Sequence, residues 1–310
     1  MRSLLLLSLA FFLASALPFN KEVIKQIIQE PSDLAASHAE FLELASNGIK
    51  HKTADLIFGG TKAQDGQLPT QAFIRFNTSS GDMGRCGGSL ISTTHILTAA
   101  HCTSDMTAPV TIMVGAVDLK NPTEFSQMRR IHETFSHPQW DPRDPDLNND
   151  ISIIEFSPSI VLNEDVKIAK IVSDDTELLK VPTATISGYG VYNFANGRSL
   201  SSTDLRYTTV ALYNSTYCNA AWDDSLTENQ ICAGAAGRGI GSGDSGGPMQ
   251  VTYNNERYQI GLTSYGASDE EAQNHQDTSP TVFTRISKYC TFINTSTKGV
   301  VTCGTVTGRK

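Results

Sequence analysis

Gly-Asp-Ser-Gly-Gly-Pro at 243–248 and Thr-Ala-Ala-His-Cys at 98–102 are the two stretches on which the reading of this chain turns. A serine hydroxyl is a weak nucleophile at neutral pH and needs a neighbour to take its proton. The glycine-rich hexapeptide suits a tight turn that presents Ser245, with the N–H groups of Gly243 and Ser245 directed at a developing oxyanion. His101 is the natural proton acceptor. A third member, a buried carboxylate, is needed to fix the imidazole tautomer. Asp150 is the candidate, because it opens the apolar run Ile-Ser-Ile-Ile, as a buried carboxylate at a strand start should. Its competitors Asp141, Asp144 and Asp146 lie in a Pro- and Asp-rich stretch. A lone serine in a glycine loop, or a lone histidine, is more often structural; the combination is what reads as chemistry.

The chain has 310 residues, 39% hydrophobic and 18% charged, enough for one large domain or two smaller ones with a buried core. Its formal net charge is -8 and it has no long basic run, which argues against nucleic acid and anionic membranes as partners. Met1-Arg2, the apolar run 4–13 and Ala14-Ser15-Ala16 form a signal-peptide pattern, 1–16, too short for a stable membrane span. Secretion follows, and with it an oxidising compartment and paired cysteines. Downstream of residue 57, short apolar runs at 71–76, 89–97, 110–114, 151–156, 184–186 and 258–262 read as strands separated by Gly, Pro, Asn and Asp clusters. With no βαβ rhythm or repeat, the pattern is all-β.

The order His, Asp, Ser and the three separated motifs resemble the secreted chymotrypsin/trypsin-like serine endopeptidases, from about residue 57 to the final helix near residue 293. The resemblance implies two packed six-stranded antiparallel barrels, with His101, Asp150 and Ser245 in the cleft between them. A terminal helix over 286–294 is expected to pack on the second barrel, burying Phe292 and Ile293. The six cysteines allow many pairings that spacing alone does not resolve. The resemblance implies Cys86–Cys102, pinning the loop of the base, and Cys218–Cys232. Cys290 and Cys303 have no family counterpart; the tail between them is long enough to fold back and pair them, the competing arrangement being an intermolecular bond through Cys303.

Residues 21–29 and 33–44 read as two short helices ahead of Asp-Leu-Ile-Phe-Gly-Gly at 55–60. The latter resembles the Ile-Val-Gly-Gly start of mature family members, with Phe58 in place of Val. Cleavage after Leu56 would free the Ile57 ammonium to pair with Asp244, which makes 17–56 an activation propeptide, 57–298 the protease domain and 299–310 a C-terminal tail. A buried charge is tolerated when paired, and such pairing orders the oxyanion loop. Leu56 stands where trypsin-activated precursors carry Lys or Arg, and the nearest basic residue is Lys52.

By resemblance the floor of the primary pocket is Gly239, six residues before Ser245, where a trypsin-like enzyme needs an aspartate. Ile240 adds an apolar wall. Ser264-Tyr265-Gly266 resembles the Ser-Trp-Gly segment that takes substrate backbone as an added strand. Thr281 replaces a glycine and fills part of the pocket base. Such a neutral, shortened pocket favours Leu, Met and other mid-sized apolar residues. Gly241 replaces a cysteine that braces the pocket wall in many members, so a more mobile wall is expected. The rim loop 267–279 carries Asp269, Glu270, Glu271 and Asp277.

The resemblance implies a secreted endopeptidase made as a zymogen, acting on protein or peptide substrates, open to protein inhibitors, expected to be monomeric and to need no cofactor. The alternative is a catalytically silent binding protein on the same scaffold. No CxxC or HxxxH spacing supports zinc, and Ala116 follows Gly115 where calcium-binding relatives carry a glutamate. Asn77, Asn214 and Asn294 head glycosylation sequons.

Overall fold

The computed structural model describes residues 57, 59–195, 198–266 and 274–307. The segments assigned as signal peptide and propeptide, Leu56 included, and the first part of the rim loop, with Asp269, Glu270 and Glu271, lie outside the described residues.

A two-residue strand, β1 (Thr61–Lys62), precedes the first barrel, whose strands are β2 (Gln71–Asn77), β3 (Met83–Ser92), β4 (His95–Thr98), β5 (Thr107–Val114), β6 (Gln127–Ser136) and β7 (Ser152–Phe156). All pairings are antiparallel and the barrel closes in the order β2-β3-β4-β7-β6-β5. Its interior is built by alternation: Ala72, Ile74 and Phe76 from β2 meet Val110, Ile112 and Val114 from β5 and Ile154 and Phe156 from β7. The run 89–97, expected as one strand, is two. Ser92 Oγ accepts the N–H of Thr94 at 3.1 Å, and this side-chain-capped turn reverses the chain between β3 and β4.

The second barrel comprises β8 (Thr183–Gly188), then, after a hairpin of β9 (Val191–Ala195) and β10 (Arg198–Ser201), β11 (Arg206–Leu212), β12 (Gln230–Gly234), β13 (Pro248–Tyr253), β14 (Glu256–Tyr265) and β15 (Thr281–Arg285). The order β11-β12-β15-β14-β13-β8 closes through β11–β8 pairing, and β1 adds to the edge of β11. Ile186, Val210, Met249, Val251, Ile260 and Phe283 fill it, together with Ile57. The two barrels join through the outward faces of their strands. Ser187 Oγ donates to Gln71 Oε1 at 2.7 Å, Gln250 Nε2 donates to Thr70 Oγ1 at 3.0 Å, and the Phe73 and Tyr189 rings meet edge-on at 5.2 Å.

Short helices decorate this frame, among them α1 (Ala100–Thr103), α2 (Ser215–Ala221, capped by Asn214) and α3 (Cys290–Ser296), the last entered through a 3₁₀ turn at Ile286–Tyr289. The terminal helix does not rest on the second barrel alone, as expected from sequence. Fully buried Ile293 joins Leu97, Ile151 and Ile153 of the first barrel as well as Leu262 of β14. Phe292 is only half-buried and lies edge-on to His137, centroids 5.0 Å apart. The helix therefore straps one barrel to the other.

Cys86–Cys102, Cys218–Cys232 and Cys290–Cys303 are all joined. The third bond returns the tail to the body, where Gly304 pairs with Val172 and its N–H donates to Ile171 O at 2.9 Å. Val301 is buried in the same cluster as Ile293. Replacing Cys290 and Cys303 together by serine should lower unfolding free energy by about 2–3 kcal/mol, the effect expected for a short closed loop. Urea unfolding of the two proteins under non-reducing conditions measures it.

Candidate active site

Asp150 ends the loop before β7 and is fully buried. Its Oδ1 accepts the backbone N–H of His101 at 2.9 Å, and its Oδ2 accepts His101 Nδ1–H at 2.8 Å and Ser264 Oγ–H at 2.6 Å. Thr284 Oγ1 donates to the Asp150 carbonyl at 2.8 Å. With Nδ1 bound to a carboxylate, the imidazole presents Nε2 as an acceptor. Two of the competing carboxylates are occupied elsewhere. Asp141 is exposed and forked by Arg143 at 2.9 and 2.8 Å, which holds it down to about 2. Asp144 accepts from Asn148.

His101 sits in α1, directly after β4, and the Ser245 loop reaches it through glycine. Gly87 N–H donates to Ser245 O at 2.7 Å, joining β3 to that loop. Gly246, at φ 73°, lies so close to the residues preceding His101 that a Cβ there would be 2.1 Å from Thr98 Oγ1 and 2.8 Å from Ala99 N. Only glycine permits both the left-handed backbone and this approach. Ser245 is partly exposed, and its hydroxyl has no hydrogen-bond partner among the described residues. A nucleophile–base contact commonly tightens only when substrate is bound.

The amides of this loop divide into two sets. Asp244 N–H donates to Gly241 O, Gly246 N–H to Thr263 O and Gly247 N–H to Asp244 O, at 3.0, 2.8 and 2.9 Å. Those of Gly243 and Ser245 donate to no backbone carbonyl among the described residues. Gly243 is at φ 96°, a backbone conformation that favours glycine. Two free donors flanking a serine are what an oxyanion requires.

Beneath them, Asp244 is fully buried, with Oδ1 accepting from Gly190 N–H at 2.7 Å and Oδ2 from Gly241 N–H at 2.9 Å. Burial pushes its pKa up to about 6, against the opposing pull of these two bonds and of Arg85. Arg85, a residue sequence reasoning passed over, is half-buried, with its side chain packed along Gly243. Ile57 is 2% exposed, in the second-barrel core, with φ 50°, a region β-branched residues rarely enter.

The residues expected to form a primary pocket converge on a side chain that was not among them. Gln276 is 2% exposed. Its Oε1 accepts from Ile240 N–H at 3.2 Å and Thr281 Oγ1 at 2.9 Å, and its Nε2 donates to Ile240 O at 2.9 Å. A Cβ at Gly239 would lie 1.7 Å from Gln276 Oε1, so Gly239 abuts the amide. Gly241 packs against the Val191 carbonyl, and Gly266 lies directly against Thr281. Tyr265 stands edge-on to Trp222, centroids 5.0 Å apart. Beyond this site, His132, Glu133 and Glu155 converge on the first barrel, but Lys298 Nζ already occupies Glu155 at 3.2 Å. Around His101 the thiols of Cys86 and Cys102 are consumed by their disulfide.

Two closed six-stranded antiparallel barrels followed by a short C-terminal helix define the chymotrypsin fold. The family model described as Trypsin matches residues 57–293. Chymotrypsin-like elastase family member 1 of Canis lupus familiaris is 28% identical over 251 residues, covering 79% of this chain and 95% of that protein. The proteins of the same description from Rattus norvegicus and Homo sapiens are each 27% identical over 251 residues, covering 79% of this chain and 92% and 95% of their own length. The chain belongs to the trypsin family and is a serine endopeptidase.

Asp244 gives the site a pH signature. Its native pKa lies above its unfolded one, so between about pH 4 and pH 6 the native state holds a proton that the unfolded state has released, and stability falls as pH rises. The cost is complete above the native pKa and amounts to at most ~3 kcal/mol for two pKa units. Urea unfolding of the full-length chain at pH 4 and pH 7 should show Asp244→Asn gaining on the parent by up to that amount at the higher pH. A pH-independent difference would contradict the titration of Asp244.

Proposed function

We propose that this endopeptidase works through Ser245 as nucleophile, His101 as general base and Asp150 as the carboxylate that orients it, with Gly243 and Ser245 N–H as the oxyanion hole. The observation that carries the reading is the double hold of buried Asp150 on His101, through ring and backbone, beside a serine whose flanking amides are free. Ser245 Oγ attacks the scissile carbonyl as His101 Nε2 takes its proton, and the resulting imidazolium is stabilised by Asp150. The carbonyl oxygen becomes an oxyanion received by the two amides. Collapse expels the amine, which takes the proton from His101 Nε2, and leaves an acyl-enzyme. Water then enters by the same route: His101 removes its proton, the ester breaks and the proton returns to Ser245 Oγ.

The absence of an acidic side chain at Gly239 and the apolar wall of Ile240 favour mid-sized apolar residues before the cleaved bond. Residues 1–16 act as a signal peptide and 17–56 as a propeptide, and the enzyme is secreted. Of the sequons, Asn77 and Asn214 suit glycosylation better than Asn294, whose Nδ2 donates to Val301 O at 3.1 Å. Activation follows cleavage after Leu56. The new ammonium supplies Asp244 with the full positive charge it lacks, and hydrolysis of the 56–57 bond abolishes the constraint behind the unfavourable φ of Ile57. A pocket that accepts Leu lets the mature enzyme process its own precursor.

Ser245→Ala and His101→Ala should each reduce amide hydrolysis by several orders of magnitude, and the double variant little further, because the two act as a unit. A Ser245→Ala enzyme retaining a tenth of normal turnover refutes the nucleophile assignment. The Ser245→Ala precursor, incubated with a trace of mature enzyme, should acquire a new N-terminus at Ile57, read by N-terminal sequencing. A precursor left intact while Leu-containing peptides are cut requires a separate activating protease.

A further inference from the structure

We propose that the side-chain amide of Gln276 is the floor of the primary pocket and sets the largest side chain accepted before the cleaved bond. The inference rests on the apolar-pocket reading above and gives it a size limit. Three positions assigned to the pocket meet at this one amide. Gly239 is in van der Waals contact with it, leaving no depth behind it. Ile240 grips it from both sides, N–H to Oε1 at 3.2 Å and Nε2 to carbonyl at 2.9 Å. Thr281 Oγ1 donates to the second lone pair of Oε1 at 2.9 Å. A buried carboxamide is costly unless bonded, and here the oxygen is saturated, so the side chain has every reason to stay.

The backbone behind it is equally fixed. His275 pairs with Ala236 in an antiparallel bridge, Gly237 N–H donates to Asn274 O at 2.7 Å, and a Cβ at Gly234 would lie 1.8 Å from Gln276 O. The floor therefore has no room to retreat under an incoming ring. The same three hydrogen bonds link the wall at Ile240 to the wall at Thr281, so Gln276 is also the brace between them where Gly241 leaves no cysteine to form one. A side chain entering past Gly266 and Thr281 stops at the amide. On this reading Val, Leu and Met fall within the limit that the amide sets, and Phe, Tyr and Trp beyond it.

The test is a P1 profile of matched peptides ending in Leu or Phe before the scissile bond, with the processed wild type, Gln276→Ala and Gln276→Met. Removing the floor in Gln276→Ala should raise the Phe-to-Leu ratio of kcat/KM at least about tenfold, the scale of one or more methylenes of pocket space. Gln276→Met, which keeps the length, should leave the ratio within about threefold of wild type. A ratio unchanged in Gln276→Ala, or raised equally in both variants, overturns the proposal. Should Gln276→Ala fail to fold, Gln276→Asn retracts the amide by one methylene and must still raise the ratio about threefold or more. Labelling by a fluorophosphonate normalises active enzyme in every variant. A wild type that labels but cuts after Lys or Arg and not after Leu overturns the apolar reading itself, before any variant is made.

Discussion

A fully buried carboxylate with no cation beside it is an expensive object, and Asp150 is one. It is sustained by donors from both halves of the molecule: the backbone and ring of His101 from the first barrel, and Ser264 from the second, with Thr284 gripping its carbonyl. Removing any one of the three donors to the carboxylate leaves part of its charge unsatisfied. The arrangement ties the relative placement of the barrels to the orientation of the imidazole. It also gives the buried hydroxyls of Ser264 in β14 and Thr284 in β15 their partner.

The same logic of saturated buried polar groups recurs at Asp244 and Gln276, with different outcomes. Asp244 receives two backbone N–H groups and remains unbalanced, since desolvation still outweighs them. Gln276 is neutral, both lone pairs of its oxygen are in use, and burial costs it far less. The first group is poised to respond to an added charge. The second is a fixed element of shape. Asp244 adjoins Ser245, and Gln276 touches Gly239 and Ile240 in the same loop before β13, where glycine lets backbone come close to side chain.

Much of this was legible in the sequence because it rests on short motifs with strict backbone demands. Ser245 and His101 are flanked by residues that only their turns require, and Asp150 announces itself by opening an apolar strand. Strands with continuous apolar runs, β2 and β7 among them, were equally visible. β6 was not, because its exposed face carries His132 and Glu133 and hides the alternation. The turn that divides 89–97 is made by Ser and Thr, residues equally at home in strands. The terminal helix was seen, but its seat between barrels depends on contacts among residues far apart in the chain. Gln276 was invisible for a related reason. It lies in a segment of Asp, Glu, Asn and Gln whose composition reads as solvated loop, and only the fold reveals that one of these side chains turns inward.

The double grip on Asp150 has a consequence for how the protein is made. His101 and Asp150 are in the first barrel, whereas Ser264 and Thr284 lie 114 and 134 residues beyond Asp150. During synthesis the N-terminal barrel emerges and folds first. At that stage it holds a histidine and a carboxylate but not Ser245, and the carboxylate lacks one of its three donors, Ser264. On the proposed assignment, hydrolytic competence arrives only when almost the whole chain has left the ribosome. On that assignment, nascent chains and chains terminated before Ser245 are inert, so chain topology itself shields the cell that makes the protease from them.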